Sequence, residues 1–309
     1  MSRQSFPVRN YDLTATLSCG QAFRWHPDGN SWVGVIDRHW VRLSSQQDSI
    51  TAETAEPVSD WKWLVTYLQS DLDLDEVLRT FPDDEPMRAA VAKCRGLRLL
   101  RQAPWECLAS FILSSTKQIV QIRQIVAALC DCYGESVATP PGRPPAHAFP
   151  SPARLADATE SELRACKMGF RAPYLLATAR AIAAGELDLS RLQEMPVEIA
   201  RTQLMELPGV GRKVADCLLL FAYGFQSAFP VDVWVMKALR DLYFPRRRVS
   251  LQRLHRFAAT HFGPNAGYAQ QYLFHYVRTA GRRLKREERR EKREERRDQS
   301  AYRKWKVGK

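Results

Sequence analysis

Lys213 and Asp232 are placed where an amine and a carboxylate could act on one substrate. Lys213 follows the run Leu207-Pro208-Gly209-Val210-Gly211, and Asp232 comes 19 residues later, behind Pro230 and Val231. Gly209 and Gly211 can adopt positive φ and let a backbone approach another surface closely. Amides at the entrance to a helix make a natural seat for a phosphate. A lysine in the first turn of that helix lies beside whatever the hairpin binds. The positive end of the helix dipole and partial burial both disfavour its ammonium form. The free amine is the form that attacks an electrophilic sugar carbon and forms a Schiff base. Asp232 stands where an N-cap belongs for a helix over 233–243. A carboxylate held there is expected to stay ionised and to stabilise an oxocarbenium-like sugar as a glycosidic bond breaks. Cys217 lies at i+4 from Lys213 on the same helix face, although a small core residue is its commoner role. A phosphate seat beside an amine and a carboxylate points to chemistry on a nucleic acid backbone.

The elements that must position these groups fall into two kinds. Residues 1–80 read as mixed β and α. Phe23-Arg24-Trp25, Trp32–Ile36 and His39–Leu43 are short runs rich in aromatic and β-branched residues. Pro27-Asp28-Gly29-Asn30 and Asp37-Arg38 punctuate them, as in an antiparallel meander. Residues 61–68 read as helical, and 71–75 as an acidic turn or cap. From about Pro86 the period becomes helical: Trp105, Leu108, Phe111 and Ile112 recur on one face, as do Ile119, Ile122, Ile125, Val126 and Leu129. Residues 139–152 carry six prolines and read as a loop. Helical pattern resumes over 161–166, 172–184 and 199–206, and a last helix is expected over 265–284. The pattern gives an α+β fold, mostly α. An N-terminal antiparallel β domain (1–95) packs on a helical core (96–284), followed by a charged tail (285–309).

With 309 residues, 45% of them hydrophobic, the chain is long enough for two domains and a sizeable core. No apolar run reaches membrane-spanning length and the N-terminus has no apolar signal core, so the chain is expected to stay inside the cell. Seven cysteines are scattered without a CxxC, which fits neither a zinc site nor a four-cysteine iron–sulfur cluster. Net charge is +12, but residues 282–309 hold 14 Lys/Arg against 6 Asp/Glu, and the first 281 hold 32 against 28. Any polyanion groove in the body must come from local clustering. The tail alternates Glu and Arg/Lys doublets without an apolar stripe, as in a solvated helix extension or a non-specific nucleic acid contact.

LPGVGRKVADC followed by PVD resembles the helix-hairpin-helix DNA glycosylases with a Gly/Pro-rich loop and an essential Asp, and within them the 8-oxoguanine DNA glycosylases. SCGQAFRW at 18–25, GLRLLRQAPWECLASFILSS at 96–115, MGFRAPY at 168–174 and GPNAGYAQQYLF at 263–274 resemble that family in the same order and spacing. The resemblance covers about residues 10–280 and leaves the tail outside.

It implies a bifunctional enzyme that flips 8-oxoguanine out of duplex DNA, excises it through a lysine Schiff base and nicks the strand by β-elimination. Lys213 would be the nucleophile and Asp232 the essential acid. The Gly20 carbonyl would accept from the N7 proton that only the oxidised base carries. Gln270 would read the Watson–Crick edge. Phe274 would stack on one face of the base, and Cys217 would cover the other while pairing electrostatically with Lys213. Gly209, Val210, Gly211 and Trp234 would contact backbone phosphate. Phe170 would be a wedge and Arg171 a reader of the opposite cytosine.

This sequence departs from the pattern after Ser114-Ser115. Thr116 stands where the animal and yeast enzymes have the Asn that fills the vacated stack, followed by Lys117. Gln121 replaces a second cytosine-reading arginine, which suggests relaxed opposite-base preference. Packing alone would also explain Phe274, and Phe23 and Trp25 read more simply as core of the β domain. Arg98 and Arg101 read as surface charges.

The reading requires no cofactor and leaves room for a structural monovalent or divalent cation at the hairpin. It implies duplex DNA with oxidised guanine as partner, no membrane and a monomer. The location would be the nucleoid of a bacterial cytoplasm or a eukaryotic nucleus. Two alternatives stand beside it: a non-catalytic DNA-binding or scaffold protein keeping the hairpin, and an alkylated-base glycosylase. The latter activates water with the Asp alone and needs no lysine.

Overall fold

The computed structural model describes residues 1–115, 117–245 and 247–279. Thr116 and the charged tail lie outside the described residues. Five strands form one antiparallel sheet: β1 (Ser2–Pro7), β2 (His26–Asp28), β3 (Ser31–Ile36), β4 (His39–Gln46) and β5 (Ser49–Thr54), in the order β1-β5-β4-β3-β2. Turn chemistry sets the register of β2–β3 and β3–β4. Gly29 at φ 59° and Asp37 at φ 50° occupy the left-handed region that tight hairpins need. Val41, Leu43, Ile50 and Ala52 are buried, and they pack with Leu64 and Leu68 of α2 (Lys62–Leu68).

Two corrections belong to this sheet. The hydroxyl-rich β1 and β5 carry too weak an apolar alternation to be seen in the sequence. Phe23-Arg24-Trp25 is not a strand but the coil leading into β2. Burial rather than pairing explains its aromatics. Trp25 lies under the sheet and donates its indole N–H to Tyr67 Oη at 2.9 Å. Phe23 joins the helical core, edge-on to Phe111 with ring centroids 5.6 Å apart.

A short helix, α1 (Leu13–Ser18), is the seam between the two bodies. Asp12 caps it, accepting from the Ala15 amide at 2.8 Å. Leu13 and Leu17 enter the sheet core, whereas Ala15 and Cys19 enter the helical one. The helical body follows with α3 (Leu74–Arg79), α4 (Glu85–Lys93), α5 (Pro104–Leu113) and α6 (Ile119–Tyr133). It continues through α7 (Pro152–Ala156), α8 (Glu160–Ala165), α9 (Ala172–Ala183), α10 (Val197–Met205) and α11 (Arg212–Leu218). α12 (Val233–Tyr243), α13 (Leu251–His261) and a helical segment over 266–279 complete it.

The proline-rich connection is not wholly irregular, because Ala146–His147 pairs with Ser136–Val137. α5 is the central helix, buried on every side from Cys107 to Leu113. Arg98 is not a surface charge: it is 1% exposed and donates to the carbonyls of Leu72 (2.7 Å) and Arg9 (2.8 Å). Arg101 likewise turns inward, toward the Leu220 carbonyl at 3.3 Å. Among the described residues no helix is long and apolar enough to cross a membrane.

Candidate active site

The hairpin is built from three sides. α10 and α11 flank it, tied by Arg201 Nε and Asp216 Oδ1 at 2.6 Å, both side chains almost fully buried. α9 backs it, with Thr178 Oγ1 donating to the Pro208 carbonyl at 2.9 Å. Gly209 has φ 77°, and a Cβ there would lie 2.7 Å from Tyr174 Cβ, so glycine is required by both conformation and contact. Gly211 differs from expectation. It is the N-cap of α11 with φ −91° and ψ 176°, and no atom lies within 4 Å of a Cβ built on it. Its value is an open approach to the first amides of α11, not a positive φ. Val210 between them is buried.

Lys213 sits in the first turn of α11 at the floor of a cleft of about 590 Å³. Its Nζ donates to Ser114 Oγ at 2.9 Å and lies 4.8 Å from the centroid of the Phe111 ring. The Ser114 hydroxyl donates onward to the Phe111 carbonyl at 2.7 Å. The last turn of α5 therefore fixes where the amine rests. Asp232, on the same cleft, caps α12 by accepting from the Val235 amide at 2.8 Å. Burial nevertheless pushes its carboxyl above the usual aspartate range, against the Val235 amide and Lys213, which pull it down.

Gly20, Cys217, Gln270 and Phe274 line the same cleft. Gly20 is at φ 90°, and its Cα faces Ile119 and Phe274; an added Cβ would meet Ile119 Cδ1 at 2.4 Å. Gln270 is 4% exposed and its Oε1 has no hydrogen-bond partner, a buried acceptor awaiting a donor. Burial pushes the Cys217 thiol up to about 12 despite Lys213 beside it, so at neutral pH Cys217 meets the lysine as a neutral thiol.

Trp234 and Lys117 lie at the rim of the cleft. Phe170 is 54% exposed, in the short turn at Gly169–Arg171 that leads into α9, four residues before Tyr174. Arg171 is buried, its guanidinium over the Phe170 ring at 4.2 Å and donating to the carbonyls of Met168 and Ser115. Gln121 is exposed on α6 and accepts from the Gln118 amide at 3.1 Å.

Ser114 and Arg278, both on the cleft, had no role in the sequence reading. Ser114 was visible only as part of a motif. Arg278 lies at i+4 from Phe274 and i+8 from Gln270, so helical period could have found it. It donates to the Ser18 carbonyl at 2.9 Å and draws the Asp232 carboxyl downward.

The chain matches the model of the 8-oxoguanine DNA glycosylase N-terminal domain over residues 4–108. It matches that of the HhH-GPD superfamily base excision DNA repair protein over residues 109–259. It is 35% identical over 239 residues to the probable N-glycosylase/DNA lyase of Methanothermobacter thermautotrophicus, covering 68% of this chain and 73% of that one. Against the N-glycosylase/DNA lyase OGG1 of Arabidopsis thaliana, identity is 32% over 286 residues, covering 85% and 76%. The 8-oxoguanine glycosylase/lyase of Clostridium acetobutylicum has been solved with duplex DNA containing cytosine opposite to 8-oxoguanine. It aligns with a TM-score of 0.83 at 32% identity, covering 88% of this chain and 93% of that one.

Proposed function

The chain belongs to the HhH-GPD superfamily of base excision DNA repair proteins, in its 8-oxoguanine DNA glycosylase family, and we propose that Lys213 and Asp232 carry its reaction. It is a bifunctional DNA N-glycosylase and lyase acting on 8-oxoguanine in duplex DNA. The observation that supports the site assignment is the single cleft. It gathers Lys213, Asp232, the carbonyl-bearing Gly20, the unpartnered acceptor of Gln270 and the face of Phe274.

Lys213 as free amine attacks C1′ of the flipped nucleotide, and the bond from C1′ to the base nitrogen breaks with its electrons leaving on the base. Asp232, ionised, stabilises the positive charge that develops on the sugar. The attached nitrogen gives a proton to the departing base anion, and its lone pair then breaks the C1′–O4′ bond, opening the ring to an iminium while O4′ takes up a proton. Loss of a C2′ proton expels the 3′ phosphate and breaks the strand. Ser114 and the Phe111 face hold the resting amine in place, and its free-base form is the one that attacks. The reading calls for no cofactor. A cation at the hairpin would sit on main-chain carbonyls, and no step passes through it.

Opposite-base preference is proposed to be relaxed. Gln121 offers an uncharged amide in place of a guanidinium, and Arg171 is buried and turned onto the carbonyls of Met168 and Ser115. Similar excision rates opposite all four bases support this; a cytosine preference of about a hundredfold or more removes it.

Borohydride added during turnover should trap a covalent complex with 8-oxoguanine duplex, and Lys213→Gln should abolish both trapping and base release. Near-parental excision by that variant removes Lys213 from its role. Duplex binding with no release or nicking by the parent would favour a scaffold instead.

A further inference from the structure

Residues 244–262 hold five arginines, Arg246, Arg247, Arg248, Arg253 and Arg256, and no Asp or Glu. Without that stretch the first 281 residues carry 27 Lys/Arg against 28 Asp/Glu. The whole positive excess of the body is therefore gathered in one short segment. Arg247, Arg248, Arg253 and Arg256 are all exposed. The nearest acid on α12, Asp241, is already paired with Lys237. Arg240 Nη2 donates to the Val249 carbonyl at 3.1 Å and holds the loop against the end of α12. Arg253 and Arg256, one turn apart on α13, rim a shallow groove floored by Phe244 and Phe257.

The position of this patch gives it a partner. α12 begins at the cleft with Trp234 and Lys237. Its 11 residues carry the chain about 16 Å at 1.5 Å per residue before the basic loop starts. On its other flank, α13 lies close to the hairpin helices: His255 is depressed by burial and then by Arg212 and Arg201. The patch thus has His255 within electrostatic reach of the hairpin helices and does not belong to the cleft. Its arginines suit phosphate better than a lipid surface, because the only large apolar side chain exposed on α13 is Leu251.

We propose that the loop at 247–249 and the first turns of α13 form a second phosphate contact, gripping duplex DNA about five base pairs from the flipped nucleotide. This rests on the reading of the cleft as a DNA repair site. It goes beyond that reading by extending the footprint along undamaged duplex. A second contact on one polymer raises the effective concentration of lesion at the cleft and holds the enzyme on DNA between lesions. Because it meets only phosphates, it adds affinity without adding base preference.

The test compares the parent with a variant carrying Arg247→Gln, Arg248→Gln, Arg253→Gln and Arg256→Gln. Binding is measured by anisotropy across a salt series, on undamaged and 8-oxoguanine duplexes of about 30 and about 8 base pairs. On the long duplexes the slope of log affinity against log salt should fall by about 3.6, since each of the four lost phosphate contacts removes about 0.9. Affinity at physiological salt should drop at least about thirtyfold. On the short duplexes both changes should nearly vanish, and single-turnover excision at saturating enzyme should match the parent.

The same four positions changed to lysine should restore the slope. An unchanged slope on long duplex, an equal loss on both lengths, or no recovery with lysine overturns the proposal. So does a variant that loses binding to anionic vesicles or RNA while keeping the DNA slope. The undamaged-duplex slope reads the patch even if the parent releases no base. Failure of the repair reading is therefore seen separately.

Discussion

A carboxyl that caps α12 and faces Lys213 gains from both neighbours, yet burial raises the pKa of Asp232. The sign of its effect on stability follows. The folded state holds the Asp232 proton more tightly than the unfolded state does. The stability contributed by the protonated group is therefore present below the unfolded pKa and is lost as pH rises through the folded one. Asn caps as well as Asp and carries no charge to desolvate. Asp232→Asn should melt at or above the parent temperature at neutral pH, with the gap closing below about pH 4, while base release falls by about a hundredfold or more. Calorimetry across pH and single-turnover excision check the two halves. A variant that melts well below the parent at neutral pH would show that the charge stabilises the fold. The acid limb of parental excision should also lie above the range of a free aspartate.

The hairpin's two glycines make separable predictions at the scale of the element. Gly209→Ala forces a side chain onto a φ of 77° and into Tyr174, so it should cost about 1–3 kcal/mol and lower the melting temperature. Gly211→Ala meets no atom within 4 Å at an ordinary φ, so it should leave the melting curve unchanged. If bound DNA approaches this face, Gly211→Ala should still weaken duplex binding. Unchanged affinity would mean that the amides of α11 do not meet a phosphate there. Beneath the hairpin, Arg201→Met leaves Asp216 charged and buried without its 2.6 Å partner, at a cost of about 3–5 kcal/mol by chemical denaturation.

Sequence reading reached these helices because apolar period, caps and glycines are local signals. α12 runs from Val233 to Tyr243 behind its Asp232 cap, as its pattern predicts. The same reading missed β1 and β5, whose place in the sheet depends on distant partners, and misjudged Gly211, whose φ no local signal fixes. Arg98 looked like a surface charge because nothing in its neighbours along the chain reveals the Arg9 and Leu72 carbonyls.

At the scale of the whole molecule, the cleft exists only because the two bodies are bolted together beside Gly20. Gln21, 1% exposed, is that bolt. Its Nε2 donates to the carbonyls of Thr16 (2.9 Å) and Arg98 (2.8 Å), and its Oε1 accepts from the Leu100 amide at 2.8 Å. Its own carbonyl accepts from Gln102 Nε2 at 2.8 Å. Thr16 belongs to the α1 seam, whereas residues 98–102 lead into the central α5, so one side chain crosses the joint and its backbone sets where Gly20 sits.

Gln21→Leu keeps much of the volume but orphans the buried Leu100 amide and Arg98 carbonyl, each worth about 1–3 kcal/mol, and leaves the Thr16 carbonyl only the weak Cys19 thiol donor. The variant should lose stability by denaturant unfolding. It should also lose excision of 8-oxoguanine more steeply than binding of undamaged duplex, because the hairpin is anchored separately, on α9 and α10. Equal losses of excision and undamaged-duplex binding would mean that Gln21 supports the fold in general and does not specifically place Gly20 against the base.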